Sequence, residues 1–288
     1  MKEEALAQVK ALLHQSGLKA KRSLGQHFLV DEDVLECILS AAELSYKDVV
    51  VEVGPGLGVL TKRLAEIVSE VIAVELDSRL VSMLKRKLAS SPNAKIIHAD
   101  ILRVTPRQLL EDYLATPELA RNYKVVANLP YYITSPVIHH FLVASLRPSL
   151  MVIMVQKEVG EAIAAAPGRM SLLSVMTQSY SKPTIITHVP ARSFYPSPKV
   201  DSVVLRLDVY SKPFVEVANI ENFFDIVSCG FSAPRKQLRN SLARALGISG
   251  SQVASLLEEA GIEARRRAET LSLSEWKELW GIFAPFRR

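Results

Sequence analysis

The chain has 288 residues, 49% of them hydrophobic and 23% charged, with 12 Gly and 15 Pro dispersed along it; this is enough for one large α/β domain plus a smaller appendage, and it excludes a disordered or fibrous chain. Its two cysteines, Cys37 and Cys229, lie far apart in apolar stretches, which excludes a disulfide framework or a zinc knuckle and fits a reducing, cytoplasmic setting. The net charge of +5 is polarised, with five Lys/Arg against two Glu in residues 1–30, ten against six in residues 230–288, and a slightly acidic middle; basic ends of this kind neutralise phosphates and point to a nucleic-acid partner.

In chain order, residues 1–30 read as a basic N-terminal arm. Their opening, MKEEALAQVKALLHQSG, mixes Glu with Lys and has no signal-like apolar stretch, and the longest apolar run of the chain, residues 150–155, is too short to cross a bilayer. No membrane partner is expected. From about Val49 to Gln156, β-branched runs (VVVEV, VIAVEL, KIIHAD, KVVANLP, LMVIMVQ) alternate with amphipathic stretches at 58–68, 78–89, 106–114 and 135–145. This alternation predicts parallel strands joined by crossover helices, and the nearly continuous apolar character of the strands predicts helices on both faces of the sheet. Asp77 is placed to cap the second helix. Two more helical stretches follow, broken near Pro167 and Gly168, and then PTIITHVP and VDSVVLRLDVY; the second alternates like an antiparallel or edge strand. The composition changes around Ser211, Lys212 and Pro213, and from about Asn219 short amphipathic helices carry Arg clusters. The predicted organisation is an arm (1–30), a sheet domain (31–212) and a helical domain (213–288).

Candidate chemistry gathers at strand ends. Gly54, Gly56 and Gly58 stand between the first strand and its helix, where a side-chain-free backbone lets a ligand approach the helix amides. The spacing is not G-x-G-x-x-G, which argues against a pyrophosphate-bearing dinucleotide. Glu75 ends the second strand, where a carboxylate can accept bonds from both hydroxyls of a ribose. Asp100 ends the third and can accept from an adenine amine or cap the next helix. Gly, Glu and Asp at three successive strand ends of one sheet edge point to a nucleoside pocket.

The fourth strand ends in Asn128, Leu129, Pro130 and Tyr131, followed by Tyr132. The exocyclic amine of adenine is a poor nucleophile, because its lone pair is delocalised into the ring. An enzyme that methylates it needs acceptors to draw the amine toward tetrahedral geometry. The Asn128 side-chain oxygen and the Leu129 or Pro130 carbonyl are such acceptors, with Tyr131 to stack on the base and proline to hold the turn. No general base is required, since the amine becomes acidic as the methyl arrives.

This arrangement resembles the adenine-N6 methyltransferases, whose motif is (D/N/S)-(P/I/L)-P-(Y/F). Three further segments resemble the ribosomal RNA adenine dimethyltransferases: SLGQHFL from Ser23 to Leu29, FYPSPKVDS from Phe194 to Ser202, and Phe231 followed by RKQLRN from Arg235 to Asn240. The pattern is nearest to the bacterial small-subunit branch of that family. The resemblance implies a Rossmann-like class I methyltransferase with a seven-stranded, mostly parallel sheet and a small C-terminal α-helical domain. It implies S-adenosyl-L-methionine as cofactor and, as substrate, two adjacent adenosines near the 3′ end of 16S rRNA in an immature small ribosomal subunit, dimethylated by a cytoplasmic monomer. It also implies roles. His27 and Leu29 would contact the methionine part of the cofactor, Gly54 and Gly56 its backbone-facing side, Glu75 its ribose and Asp100 its adenine. Asn128 would touch both cofactor and target, Phe194 would stack on the target opposite Tyr131, and Lys199, Arg235, Lys236 and Arg239 would bind RNA. His27 stands where many bacterial members have Asn, and Ala233-Pro234 replaces a longer polar and basic run.

Other readings make different demands. A nicotinamide dehydrogenase shares the glycines and Glu75 but has no use for Asn128 to Tyr131. A 23S rRNA methyltransferase of the erythromycin-resistance type shares Asn128 to Tyr131 and the Phe194 loop but not the Arg-Lys-rich helix, and a non-catalytic RNA-binding assembly factor would not need the full set. His139 and His140 have no metal-ligand spacing, so no metal is expected. Arg265 to Arg267 read equally as an RNA-facing patch or a solvated helix end.

Overall fold

Short apolar runs with β-branched residues form the sheet, and its order explains where the site lies. The computed structural model describes residues 2–21, 24–114, 122–215 and 220–286; Ser23 and Asn219, used above for a motif and a boundary, lie outside the described residues. In chain order the elements are α1 (Lys2–Gln15), β1 (Phe28–Leu29), α2 (Glu32–Ala41), β2 (Val49–Val53), α3 (Val59–Ala65), β3 (Glu70–Glu75), α4 (Ser78–Lys87), β4 (Ala94–His98), α5 (Pro106–Tyr113), β5 (Lys124–Asn128), α6 (Thr134–Leu142), β6 (Leu150–Gln156), α7 (Lys157–Ile163), α8 (Leu172–Tyr180), β7 (Ser181–Val189), β8 (Phe194–Tyr195), β9 (Ser202–Val209), α9 (Ile220–Phe231), α10 (Leu238–Leu246), α11 (Gly250–Glu259) and α12 (Leu273–Phe283). Seven strands form one sheet in the order β4-β3-β2-β5-β6-β9-β7. Its first five strands run parallel, and β9 is antiparallel to β6. The alternation read in β9 is thus that of an antiparallel strand inside the sheet, and the edge strands are β4 and β7.

By their packing the residues fall into two compact units, Met1–Gly160 with Thr184–Val209, and Glu161–Pro183 with Tyr210–Arg288. Residues 161–183 therefore group with the C-terminal helices, a return of the chain that a single cut near 212 does not describe. In the first unit, one buried cluster joins Leu35, Ile38 and Leu39 of α2 to Val50, Val126 and Val152 of the sheet. A second joins Val9 and Leu13 to Leu80, Leu84 and Ile96. Within residues 1–30, then, α1 is a docked helix with an apolar stripe. In the second unit Phe223, Val227, Leu238, Leu242, Val253, Leu257, Trp276 and Phe283 are fully buried.

Strand order reverses at β2, which is flanked by β3 on one side and β5 on the other. The carboxyl ends of adjacent strands diverge there, which opens the crevice where parallel sheets bind ligands. Asp77 caps α4 as expected, its side chain accepting from the Arg79 amide. Gly58 caps α3 at φ +73°, and a Cβ there would lie 2.5 Å from Leu84 Cδ2, so both backbone and packing require glycine.

Candidate active site

The crevice holds a cavity of about 300 Å³ lined by the ends of β2, β3 and β5, the turn after β4 and the segment entering β1. Its wall includes Glu52, Glu75 and Asp100. With Glu75 and Asp100 on it and no Lys or Arg among the described lining residues, the wall suits a cationic ligand and disfavours phosphates.

Glu75 is held in place by main chain. Its two carboxylate oxygens accept from Gly56 N (3.3 Å) and Asp77 N (2.9 Å). Gly54 donates to Val74 O at 2.9 Å, so the glycine turn and the end of β3 are tied together. Burial raises the Glu75 pKa, and those amides oppose the rise. Asp100 caps the turn that follows β4, accepting from Leu102 N at 3.1 Å, and also lines the cavity.

Glu52 was read only as part of a strand. It is 1% exposed, lines the cavity, and its Oε2 has no hydrogen-bond partner among the described residues. Burial pushes its carboxyl up to about 8, the Thr61 hydroxyl opposing and the Glu75 charge adding. An unpartnered buried acid costs stability unless a ligand meets it. The available signal was a lone acid in an apolar strand, two residues before Gly54.

On the β5 side, Asn128 Nδ2 donates to the His27 carbonyl at 3.2 Å, which leaves its Oδ1 as the acceptor for a substrate. The Pro130 carbonyl accepts from Ile133 N at 3.1 Å; of the two main-chain acceptors proposed, Leu129 O is the one not engaged in that turn. Tyr131 is half-buried, stacks on the His27 ring at 5.8 Å and 23°, and shares a 2.7 Å hydrogen bond with Ser202 Oγ. His27 Nδ1 donates to Pro196 O at 2.6 Å.

These bonds depend on a ribbon that the sequence did not announce. β1 pairs antiparallel with β8, Phe28 opposite Tyr195 and Leu29 opposite Phe194, which brings the SLGQHFL and FYPSPK segments together. Gly54, Gly56, His27, Leu29, Glu75, Asp100, Asn128, Leu129, Pro130 and Tyr131 all line the cavity. Phe194 does not: it is 2% exposed and packed in the core cluster with Leu35 and Leu39, because pairing with Leu29 turns its ring inward. Lys199 is exposed in the loop beyond β8.

In the second unit Arg235 and Lys236 are exposed before α10, and Arg239 is half-buried on it. The backbone of Arg266 joins the same region, accepting from Leu238 N at 2.8 Å. The Arg265 to Arg267 run divides by role: Arg266 pairs with Glu275 inside the unit, while Arg265 and Arg267 are exposed.

A doubly wound sheet with a glycine turn, strand-end carboxylates and Asn-Leu-Pro-Tyr after β5 defines a Rossmann-like class I methyltransferase. The model of the ribosomal RNA adenine dimethylase family matches residues 17–279, and the chain belongs to that family. Ribosomal RNA small subunit methyltransferase A of Dehalococcoides mccartyi is 46% identical over 278 residues, 96% of this chain and 93% of its own. Among solved structures, the 23S rRNA methyltransferase ErmE aligns at a TM-score of 0.69 and 29% identity over 88% of this chain and 98% of its own. A dimethyladenosine transferase of Plasmodium falciparum shares the fold, at a TM-score of 0.75 and 24% identity over 90% of this chain and 98% of its own.

Proposed function

We propose that the cavity binds S-adenosyl-L-methionine and that the chain dimethylates N6 of two adjacent adenosines near the 3′ end of 16S rRNA, acting in the cytoplasm as a monomer on an immature small subunit. The observation that carries the reading is the pair of acceptors, Asn128 Oδ1 and Leu129 O, left without a side-chain donor among the described residues beside a cavity walled by carboxylates. The residues fit the cofactor. Glu75 presents a carboxylate to the ribose hydroxyls, Asp100 an acceptor to the adenine amine, and Glu52 Oε2, unpartnered among the described residues, an acceptor for the α-ammonium group. When bound, the cofactor supplies an electrophilic methyl on a sulfonium.

Asn128 and Leu129 then do the protein's share of the chemistry. Their oxygens accept the two hydrogens of the adenine amine, turn its lone pair out of conjugation and aim it into the cavity. Tyr131, fixed between His27 and Ser202, gives the base a flat wall, and the amine proton leaves to water after transfer. Lys199 and, in residues 213–288, Arg235, Lys236 and Arg239 supply cations for RNA phosphates. Phe194 can face the target only if its ring leaves the core. The higher identity to a small-subunit enzyme than to a 23S enzyme supports the small subunit as substrate.

The test is transfer of labelled methyl from S-adenosylmethionine to immature small and large subunits, with nucleoside analysis for N6,N6-dimethyladenosine. Dimethyladenosine in small-subunit RNA is the expected result. Label in the large subunit alone would make the chain a 23S enzyme, and no label in either would make it a non-catalytic assembly factor.

A further inference from the structure

Two consecutive tyrosines follow Pro130, and the fold treats them oppositely. They begin a 3₁₀ turn, Tyr131–Ile133, in which roughly three residues complete a turn, so neighbouring side chains diverge by roughly 120°. Tyr131 turns in, onto His27 and Ser202. Tyr132 turns out. It is 54% exposed yet lines the cavity, and its hydroxyl has no hydrogen-bond partner among the described residues. One side of its ring rests on Gly25, where a Cβ would stand 3.4 Å from Tyr132 Cδ1. Leu76, 47% exposed, lines the same cavity. An aromatic ring more than half exposed and braced at Gly25 is a ready stacking surface: only two side-chain torsions need fixing, so little entropy is lost when a second ring covers it.

The charge of the cavity says what that second ring belongs to. With Glu75 and Asp100 and no Lys or Arg on the described wall, the mouth disfavours phosphate, and an RNA strand comes to it base-first with its backbone held away. A single extruded adenine over Tyr131 leaves the next base of the strand unstacked, and an unpaired base recovers that loss on an exposed aromatic face.

We propose that Tyr132 is the stacking platform for the nucleobase adjoining the adenine being methylated. The proposal rests on the RNA-methylation reading and adds a second base site to it. On a substrate with two adjacent adenines, one would occupy Tyr131 while its neighbour waits on Tyr132, so Tyr132, at the rim of the cavity, selects an unpaired neighbour on the RNA.

The experiment compares wild type, Tyr132→Phe and Tyr132→Ala on undermethylated small subunits, with cofactor affinity measured separately by calorimetry as a check of the fold. Loss of one base–aromatic stack corresponds to roughly five- to hundred-fold weaker RNA binding. Tyr132→Ala should therefore raise KM for subunits roughly ten-fold or more, Tyr132→Phe should restore it, and any loss of cofactor affinity in Tyr132→Ala should be smaller than the rise in KM. In subunits reconstituted with 2-aminopurine in place of the adjoining adenine, wild type and Tyr132→Phe should quench its fluorescence and Tyr132→Ala should not. Unchanged KM and unchanged quenching in Tyr132→Ala would overturn the proposal alone, as would weakened cofactor binding with KM intact, which would assign the ring to the cofactor. Absence of methyl transfer to small subunits by wild type would overturn the methylation reading and this proposal together.

Discussion

The two ends of the cavity are built in different ways. At the glycine end, Gly56 and Glu75 are joined by a main-chain amide across 19 residues, and Asp77 reaches Glu75 across two. At the acceptor end, Asn128 is held by a carbonyl 101 residues away and His27 by one 169 residues away. The first is a local product of adjacent parallel strands and the turns that end them. The second exists only once distant segments have paired. The acceptor end therefore takes its hydrogen bonds from the ribbon side, whereas the Glu75 carboxylate takes its own from adjacent turns.

The largest effect should come from the centre of the acceptor end. Asn128→Ala should lower methyl transfer roughly 10³-fold while RNA binding stays within several-fold; near-normal transfer by this variant would remove the proposed centre.

Next is the buried acid on the glycine end. The folded pKa of Glu52 is about 8, against about 4.3 in an unfolded chain. Between those values the native state keeps a proton that the unfolded state has lost, so this group's contribution favours folding less and less as pH rises from about 4.5 to about 8, and levels off above. Glu52→Gln cannot ionise. Its stability advantage over wild type, followed by denaturant unfolding without cofactor, should grow across that window; a pH-independent difference would show that Glu52 is ionised throughout.

Glu75→Ala should weaken cofactor binding by roughly 10- to 100-fold, the scale of a hydrogen-bonded carboxylate, and leave RNA affinity unchanged. Equal losses of both would mean that the two ends are not separable. The smallest change is at the ribbon. His27→Phe keeps a ring for Tyr131 and loses the donor to Pro196, which should cost about 1 kcal/mol of stability in thermal unfolding and lower transfer more than cofactor binding.

The same contrast decides what could be read beforehand. Gly54, Glu75 and Asp100 were legible because strand order and turn chemistry are local properties, and Asn128 because the fourth strand ends there. Asp77 showed its cap for the same reason. The pairing of Leu29 with Phe194 has no local signature, so the inward turn of Phe194 was not foreseen. Glu52 was hidden by its surroundings, since one acid does not disturb the apolar pattern of a strand. Residues 161–183 were assigned to the sheet domain by sequence order, whereas the chain packs them with helices made later.

The β1–β8 ribbon also sets a timetable for synthesis. The two amides that hold the Glu75 carboxylate have been translated by residue 77, and β4, which pairs with β3, by residue 98, but His27 waits for Pro196. At about 5–20 residues per second, a growing chain spends several seconds or more with its nucleoside pocket specified and its acceptor end unbraced. A nascent chain that captures cofactor in that interval holds it with no means of spending it on RNA.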